Sequence, residues 1–300
     1  MTSWVESFIP VIVIFVMVIV GTDLRFADFQ RVRRYPILVP GIVIGQWVLL
    51  TVVAGSAGYL LDLPPTITGG AILFAAAPVA ALSGYYTQLA NGHLALAVTV
   101  AAISNLLAAI FTPLAASVGF WYFLGSNGAM ELPVLKIALQ TVIGLLLPLL
   151  AGMLLRHFAS NWIARWRGLL QGISLIAIFA MLGFVIFDQF PAIRAQFGLL
   201  FSVSIVLTLA MLAVGFLSVK LVAHAAQDRR ALIWGFPARN VGIATLAATS
   251  VMGQMAVASF IAVLFTTQVI LLVPLALWLR ARSRKKCEPG SEQIAIRPLA

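Results

Sequence analysis

The chain has 300 residues, of which 62% are hydrophobic and 9% are charged, and its formal net charge is +10. This composition excludes an ordinary soluble domain, in which about a quarter of the residues are charged. The apolar runs recur from end to end, so the sequence predicts one polytopic membrane domain rather than two soluble domains. The single cysteine, Cys287, excludes an intrachain disulfide and makes a cysteine-based metal site implausible.

Nine apolar runs are long enough to cross about 30 Å of hydrocarbon. Lipid offers no partner to free backbone groups, so each run is predicted to be helical and the fold class all-α. The first run follows Glu6 and no basic residue, which favours a retained span over a cleaved signal peptide. The nine predicted spans are Trp4–Thr22, Pro36–Leu61, Ile67–Gln88, His93–Phe120, Leu135–Leu155, Leu169–Phe187, Gly198–Val222, Leu232–Met252 and Val257–Leu279.

The basic residues lie almost entirely on one side of these spans. Sixteen of the nineteen lysines and arginines follow or close spans one, five, seven and nine, whereas Lys136 and Arg194 fall on the other side. The positive-inside rule then places the N-terminus outside and the C-terminus in the cytoplasm. We therefore predict a multi-pass protein of the cell (inner) membrane, with a transport domain over residues 1–280 and a polar, basic cytoplasmic tail over residues 281–300.

Two of the predicted spans are interrupted by proline and glycine. Span three contains Pro78 and Gly84, and span eight contains Gly235, Pro237 and Gly242. Each interrupted span is third in a group of four, and the span after each has a polar step followed by a proline. This pattern is typical of an inverted repeat with two discontinuous helices, with repeat one over about 4–120 and repeat two over about 135–280. Such repeats place the substrate near the middle of the membrane.

Arg239 is the one formal charge deep inside an apolar run. An ionised side chain at the centre of a membrane helix costs roughly 3 kcal/mol on insertion scales, so intramembrane charges usually have a function. No aspartate or glutamate lies deep in any predicted span, which leaves the arginine without an obvious internal partner. We therefore predict that Arg239 contacts an anionic substrate, the alternative being a structural tie to backbone carbonyls.

At these segments the chain resembles the bile acid:sodium symporter family, known as BASS or SBF. The resemblance covers most of the chain. It includes the exit of span one (Val-Gly-Thr-Asp-Leu-Arg-Phe-Ala-Asp-Phe), Gln46 in span two, the stretch from Pro78 to Gly92, and Asn240-Val-Gly in span eight. The resemblance implies a core domain in which two discontinuous helices cross, a panel domain, and organic anions as substrates. Some members of the family lack the first of ten helices, as this chain is predicted to do.

The chain departs from the family at its sodium sites. Where sodium-coupled members have a Ser-Asn pair, this chain has Ser83-Gly84. Where those members have small hydroxyl residues in the next helix, this chain has Ala97 and Ala101. The family pattern Glu-x-Gly-x-Gln-Asn reads Gly-Phe-Pro-Ala-Arg-Asn from residue 235, so the acidic ligand is missing and an arginine replaces the glutamine. A guanidinium near a sodium ion is electrostatically unfavourable. Sodium is therefore possible but not favoured, and no other cofactor is expected.

The predicted substrate-binding residues are Arg239, Asn240, Ser83, Gln46, Gly84, Thr87 and Pro237. Each has a structural alternative. Asn240 is suited to capping backbone groups as well as to touching substrate. Gln46 and Ser83 are supported mainly by the resemblance, and interhelical hydrogen bonding is the competing explanation.

The predicted function is a secondary transporter that moves a small organic anion by alternating access, with weakened or absent sodium coupling. The alternatives are a sodium-coupled symporter of bile acid-like anions and a ligand sensor on a transporter scaffold. An intramembrane enzyme is disfavoured because the sequence has no metalloprotease, serine-hydrolase or paired-aspartate motif. The expected partners are the organic anion and the lipid bilayer, with no nucleic acid and no obligate protein partner.

Overall fold

The computed structural model describes residues 2–124 and 134–286. These residues are almost entirely helical and form fourteen α-helices of 5 to 32 residues. The helices are α1 (Thr2–Asp23), α2 (Phe26–Gln30), α3 (Leu38–Leu60), α4 (Pro65–Ala76), α5 (Leu82–Leu89), α6 (Leu94–Leu124), α7 (Val134–Thr141), α8 (Leu147–Phe158), α9 (Ser160–Asp188), α10 (Phe190–Ala195), α11 (Phe197–Val222), α12 (Ala226–Leu232), α13 (Val241–Leu246) and α14 (Met255–Lys286). Short 3-10 segments cover Arg31–Arg34 and Ile233–Gly235, and π-turns cover Val142–Leu146 and Ala247–Val251.

Six of the described helices are long and apolar enough to cross a membrane. They are Leu38–Leu60, Leu94–Leu124, Val134–Phe158, Ser160–Asp188, Phe197–Val222 and Met255–Ala281. A seventh span is reached if Phe8–Asp23 and Ala27–Arg34, which meet at an angle of 65°, are taken together. The count falls short of nine because predicted spans three and eight are each divided into pieces too short to qualify alone, among them Pro65–Ala76 and Val241–Val251. The nine-span count therefore stays a prediction.

The helices α1, α8 and α9 pack against one another and form a first group. The contact between α1 and α8 depends on two glycines. A Cβ added to Gly21 would meet the carbonyl of Leu149, and one added to Gly152 would meet the carbonyl of Val18. Small residues at a helix contact let two backbones approach closely in a membrane, where packing rather than the hydrophobic effect drives association.

A second group is built around α3, α4, α6, α11 and α14. The helix α3 packs on α4 and α6, while α11 packs on α14 and on the short segments around α12, and α3 and α11 also contact each other. The interior of this group holds large side chains with almost no exposure, including Trp47, Phe74, Trp234 and Phe260. The first group meets the second where α1 touches α13 and where α9 touches α14.

The last helix continues beyond its predicted end. We predicted the final span to stop at Leu279, but α14 runs through Lys286, six residues into the predicted tail. The remainder of the tail, residues 287–300, lies outside the described residues.

Candidate functional site

The first interruption separates α4 from α5. Pro65 begins α4 at a position where a missing N–H costs nothing. The helix ends at Ala76 because Pro78 disfavours helical backbone in the residue before it, and Ala77 is accordingly extended, with φ −63° and ψ 153°. A short extended stretch therefore separates two helices in the middle of a predicted span.

The second interruption runs from the 3-10 turn at Ile233–Gly235 to the start of α13. Pro237 lies within it, and Asn240 caps α13 by accepting a hydrogen bond from the N–H of Ile243 at 3.2 Å through its side chain. The interruption is thus defined by a proline that cannot continue a helix and an asparagine that begins the next one.

The two interruptions meet each other. The N–H of Ala80 donates to the carbonyl of Ala238 at 2.9 Å, and the N–H of Asn240 donates to the carbonyl of Pro78 at 2.8 Å. These bonds form an isolated antiparallel bridge between Val79 and Arg239. Backbone groups that the broken helices leave free are therefore satisfied by the other break, as they must be where lipid offers no partner.

Side chains from neighbouring helices support the first interruption. Ser104 Oγ accepts from the N–H of Val79 at 3.0 Å, and Asn105 Nδ2 donates to the carbonyl of Val79 at 3.0 Å. The indole N–H of Trp47 donates to the carbonyl of Ala76 at 2.8 Å. The polar step Ser104-Asn105 was visible in the sequence, but its role as a backbone support was not, and nothing distinguished Trp47 from a tryptophan used in packing.

The side chain of Arg239 is buried at this meeting point, with 1% of its surface exposed. Its Nη1 donates to Gln46 Oε1 and to the carbonyl of Gly235, both at 3.2 Å. Its Nε and Nη2 have no hydrogen-bond partner among the described residues. Within that part of the chain no carboxylate pairs with it either. The site therefore holds a cation whose hydrogen-bonding capacity is only partly used.

The other predicted site residues lie near the two interruptions. Gln46 and Ser83 are buried, and Gln46 Nε2 and Ser83 Oγ are without hydrogen-bond partners in the described residues. Thr87 donates to the carbonyls of Ser83 at 2.8 Å and Ala231 at 3.3 Å, so its hydroxyl ties α5 to α12. Gly84 is half-buried in α5, and Pro237 is buried in the second interruption.

Asn240 and Arg239 point toward different neighbours. Asn240 Nδ2 donates to Met17 Sδ of α1 at 3.6 Å, whereas Arg239 reaches Gln46 of α3. Successive residues of an extended chain point to opposite sides. The alternation therefore places the amide at the boundary between the two helix groups and the charge inside the second group. Met17 could not be identified from the sequence, because it lies in a uniformly apolar run.

Comparison with known proteins identifies the family of the chain. The model of the sodium bile acid symporter family matches residues 10–196. A protein of Bacillus subtilis (strain 168) named "Uncharacterized sodium-dependent transporter YocS" is 29% identical over 249 residues, which are 83% of this chain and 75% of that protein. The rice (Oryza sativa subsp. japonica) protein named "Probable sodium/metabolite cotransporter BASS2, chloroplastic" is 24% identical over 217 residues, 72% of this chain and 50% of that protein.

The relatives are named as transporters and not as enzymes, and the apolar helices are those of a multi-pass integral membrane protein. The chain is a membrane transporter that belongs to the sodium bile acid symporter family.

Proposed function

We propose that the protein is a secondary transporter of a small organic anion that works by alternating access, with Arg239 as a fixed internal cation. The observation that carries this proposal is the buried guanidinium at the contact between the two interruptions, bonded to Gln46 Oε1 and the carbonyl of Gly235. A buried cation with unused donors attracts an anion, because an uncompensated charge in a low-dielectric interior is costly.

Arg239 takes the position of a bound cation in this proposal. Its two acceptors are an amide oxygen and a backbone carbonyl, which are ligands that hard cations prefer. A sodium ion on the same oxygens would face a guanidinium within a few ångströms, and like charges at such distances repel strongly in a protein interior. The residues present therefore fit a tethered cation better than a sodium ion at this position.

The substrate is proposed to bind on the Asn240 side of the interruptions. There the amide faces Met17 at the boundary between the two helix groups. Ser83, Gly84, Thr87 and Pro237 stay predicted contacts. Arg239 would attract a carboxylate bound there through its positive charge, and its Nε and Nη2 would donate to the carboxylate if the substrate reaches the interior of the second group.

The packing supports an inverted repeat of nine spans with a core and a panel. The helix α3 packs on α4 and α6, and its proposed equivalent α11 packs on α12 and α14, so the two halves of the second group are arranged alike. The first group, α1 with α8 and α9, corresponds to the proposed panel. The charge distribution supports an N-terminus outside the cell membrane and a cytoplasmic C-terminus.

The test is uptake of radiolabelled carboxylates, a bile acid among them, into proteoliposomes with and without a sodium gradient. Wild type is expected to transport equally well in both conditions, and Arg239→Gln to lose uptake by roughly 30- to 150-fold, the effect of losing a charge-assisted interaction of about 2–3 kcal/mol. Arg239→Lys is expected to keep part of the activity. Arg194→Gln, which removes an exposed arginine, should behave as wild type.

Sodium-coupled symport is the second candidate, and the names of both relatives favour it. Gln46, Ser83 and Asn240 also match the family at its sodium sites, as the sequence resemblance implies. Strict dependence of wild-type uptake on a sodium gradient would establish this candidate and remove the tethered-cation proposal. Binding of the anion without any flux would instead favour a sensor.

A further inference from the structure

A cavity of about 690 Å³ lies at one end of the first helix group, away from the two interruptions. It is formed by Leu24 and Arg25, which connect α1 to α2, by the end of α8 and by the beginning of α9. These are the helix ends that the charge distribution predicts to be cytoplasmic. The chain bends by 65° after α1. The segment that follows α1 therefore runs in a different direction from α1, and the bend lies beside this cavity.

Three arginines line the cavity. They are Arg25, Arg156 and Arg167, and no lysine lies among the lining residues. Guanidinium groups are planar and present several donors, which suits them to bind phosphate and carboxylate by two hydrogen bonds at once. A topology signal alone needs only positive charge, which lysine supplies equally well.

The arginines are held in place but not neutralised. Arg156 Nη1 donates to the carbonyl of Thr22, and Arg167 Nε donates to Asp23 Oδ1 at 3.0 Å. Gln171 also donates to both oxygens of Asp23, at 3.1 and 2.9 Å. Asp23 is the one carboxylate in these contacts, and Asp28, which also acts on Arg156, is paired with Arg31. The positive charge of the three arginines therefore exceeds the negative charge beside them. Arg25 is exposed and reachable from outside.

The other lining residues include the polar His157, Ser160 and Asn161, which are exposed, and an apolar set that faces the interior of the helix group. Leu24, Met153 and Ile163 are among them, and each is buried. Outside the cavity, α9 presents large apolar side chains to its surroundings, such as Ile176 at 70% exposure. A ligand with an anionic head and acyl chains would place its head on the arginines and its chains along this surface.

We propose that this cavity binds a phosphate group, as the headgroup of an anionic phospholipid or as a free phosphate ester. Basic pockets between membrane helices on the cytoplasmic side are suited to anionic headgroups. The site is separate from the Arg239 site, so it stands whether or not the protein transports an organic anion.

The experiment measures retention of phosphatidylglycerol by the purified full chain in neutral detergent, using native mass spectrometry, with phosphatidylcholine as the neutral lipid. Wild type is expected to retain phosphatidylglycerol preferentially, and less so as ionic strength rises. The double variant Arg25→Gln/Arg167→Gln should lose roughly 25-fold in affinity, since each basic residue near an anionic headgroup contributes roughly fivefold. The matched control, Arg33→Gln/Arg165→Gln, removes two exposed arginines that do not line this cavity and should bind as wild type.

A second variant keeps the test informative if the double variant folds poorly. Asp23→Asn removes the carboxylate that competes for Arg167 and should raise affinity by about two- to fourfold. Displacement of the lipid by inorganic phosphate would identify a free phosphate ester as a ligand, and its failure would identify the lipid. Equal retention of the two lipids by wild type, or equal losses in the double variant and its control, would overturn the proposal.

Discussion

The two interruptions are alike in backbone and opposite in chemistry. Each is an extended stretch that contains a proline, and the two bond to each other. The first is held by neutral side chains of other helices, since Ser104 and Asn105 together bind both backbone groups of Val79. The second carries Arg239, which bonds within its own segment and to Gln46. A break in a membrane helix can thus be stabilised by side chains of other helices or by its own charge. The second arrangement leaves two guanidinium nitrogens without a partner among the described residues.

After the loss of uptake in Arg239→Gln, the largest effect on transport is expected from giving the second interruption the residues of the family's sodium-coupled pattern. The variant Gly235→Glu/Arg239→Gln supplies the acidic residue and the glutamine that this pattern places there. A Cβ at residue 235 would lie 2.8 Å from Gln46 Nε2, the flexible end of a side chain that is able to move. Uptake in proteoliposomes should become stimulated by sodium at least about tenfold, the effect of 1.4 kcal/mol of ion binding.

The control for this change is Gly235→Gln/Arg239→Gln, which has nearly the same shape without the carboxylate. It should show no sodium stimulation, because a hard cation at this position needs the negative charge. Equal stimulation of the two variants would mean that the carboxylate is not a sodium ligand here.

Removing a side chain that supports the first interruption from another helix should lower the free energy of unfolding more than it lowers the rate of transport. In Asn105→Ala the carbonyl of Val79, a residue with 1% exposure, loses a donor and becomes buried without a side-chain partner. The expected cost is about 1–3 kcal/mol in the free energy of unfolding. Thermal unfolding in detergent measures it, with Ser117→Ala of the same helix as control, since Ser117 bonds only within its own helix. A melting temperature equal to that of the control would show that the first interruption does not need this support.

The smallest effect is expected at the end of α4. Trp47→Phe removes the donor to the carbonyl of Ala76 but keeps an aromatic ring against Phe111, whose centroid lies 5.0 Å away. The free energy of unfolding should fall by about 0.5–1.5 kcal/mol. Trp121→Phe, at a tryptophan with 71% exposure, should change nothing in the same unfolding measurement. If both variants unfold like wild type, the indole hydrogen bond does not stabilise the end of α4.

The positions of both interruptions followed from the sequence, because proline acts on its immediate neighbours. Pro78 ends α4 and Pro237 lies in the second break, as predicted. The pairing of Val79 with Arg239 depends on how distant helices pack, and no local rule gives it.

The candidate site was predicted in composition but not in orientation. Arg239 was identified as an isolated charge, and Gln46 by resemblance to a family, yet the contact between them joins residues that are 193 positions apart. The direction of Asn240 toward Met17 depends on the pairing of the two breaks. The 65° bend after α1 was also not predicted, since the arginines that follow indicate sidedness but not direction.

The glycine contact between α1 and α8 has a mechanical consequence. Gly21 and Gly152 bring two backbones so close that a methyl group at either position would push them apart, so we expect these helices to travel as one rigid body. In the proposed alternating-access cycle, the surface where Asn240 touches Met17 is one of those that would slide. A thioether is a weak acceptor, so this contact would break and re-form at small energetic cost.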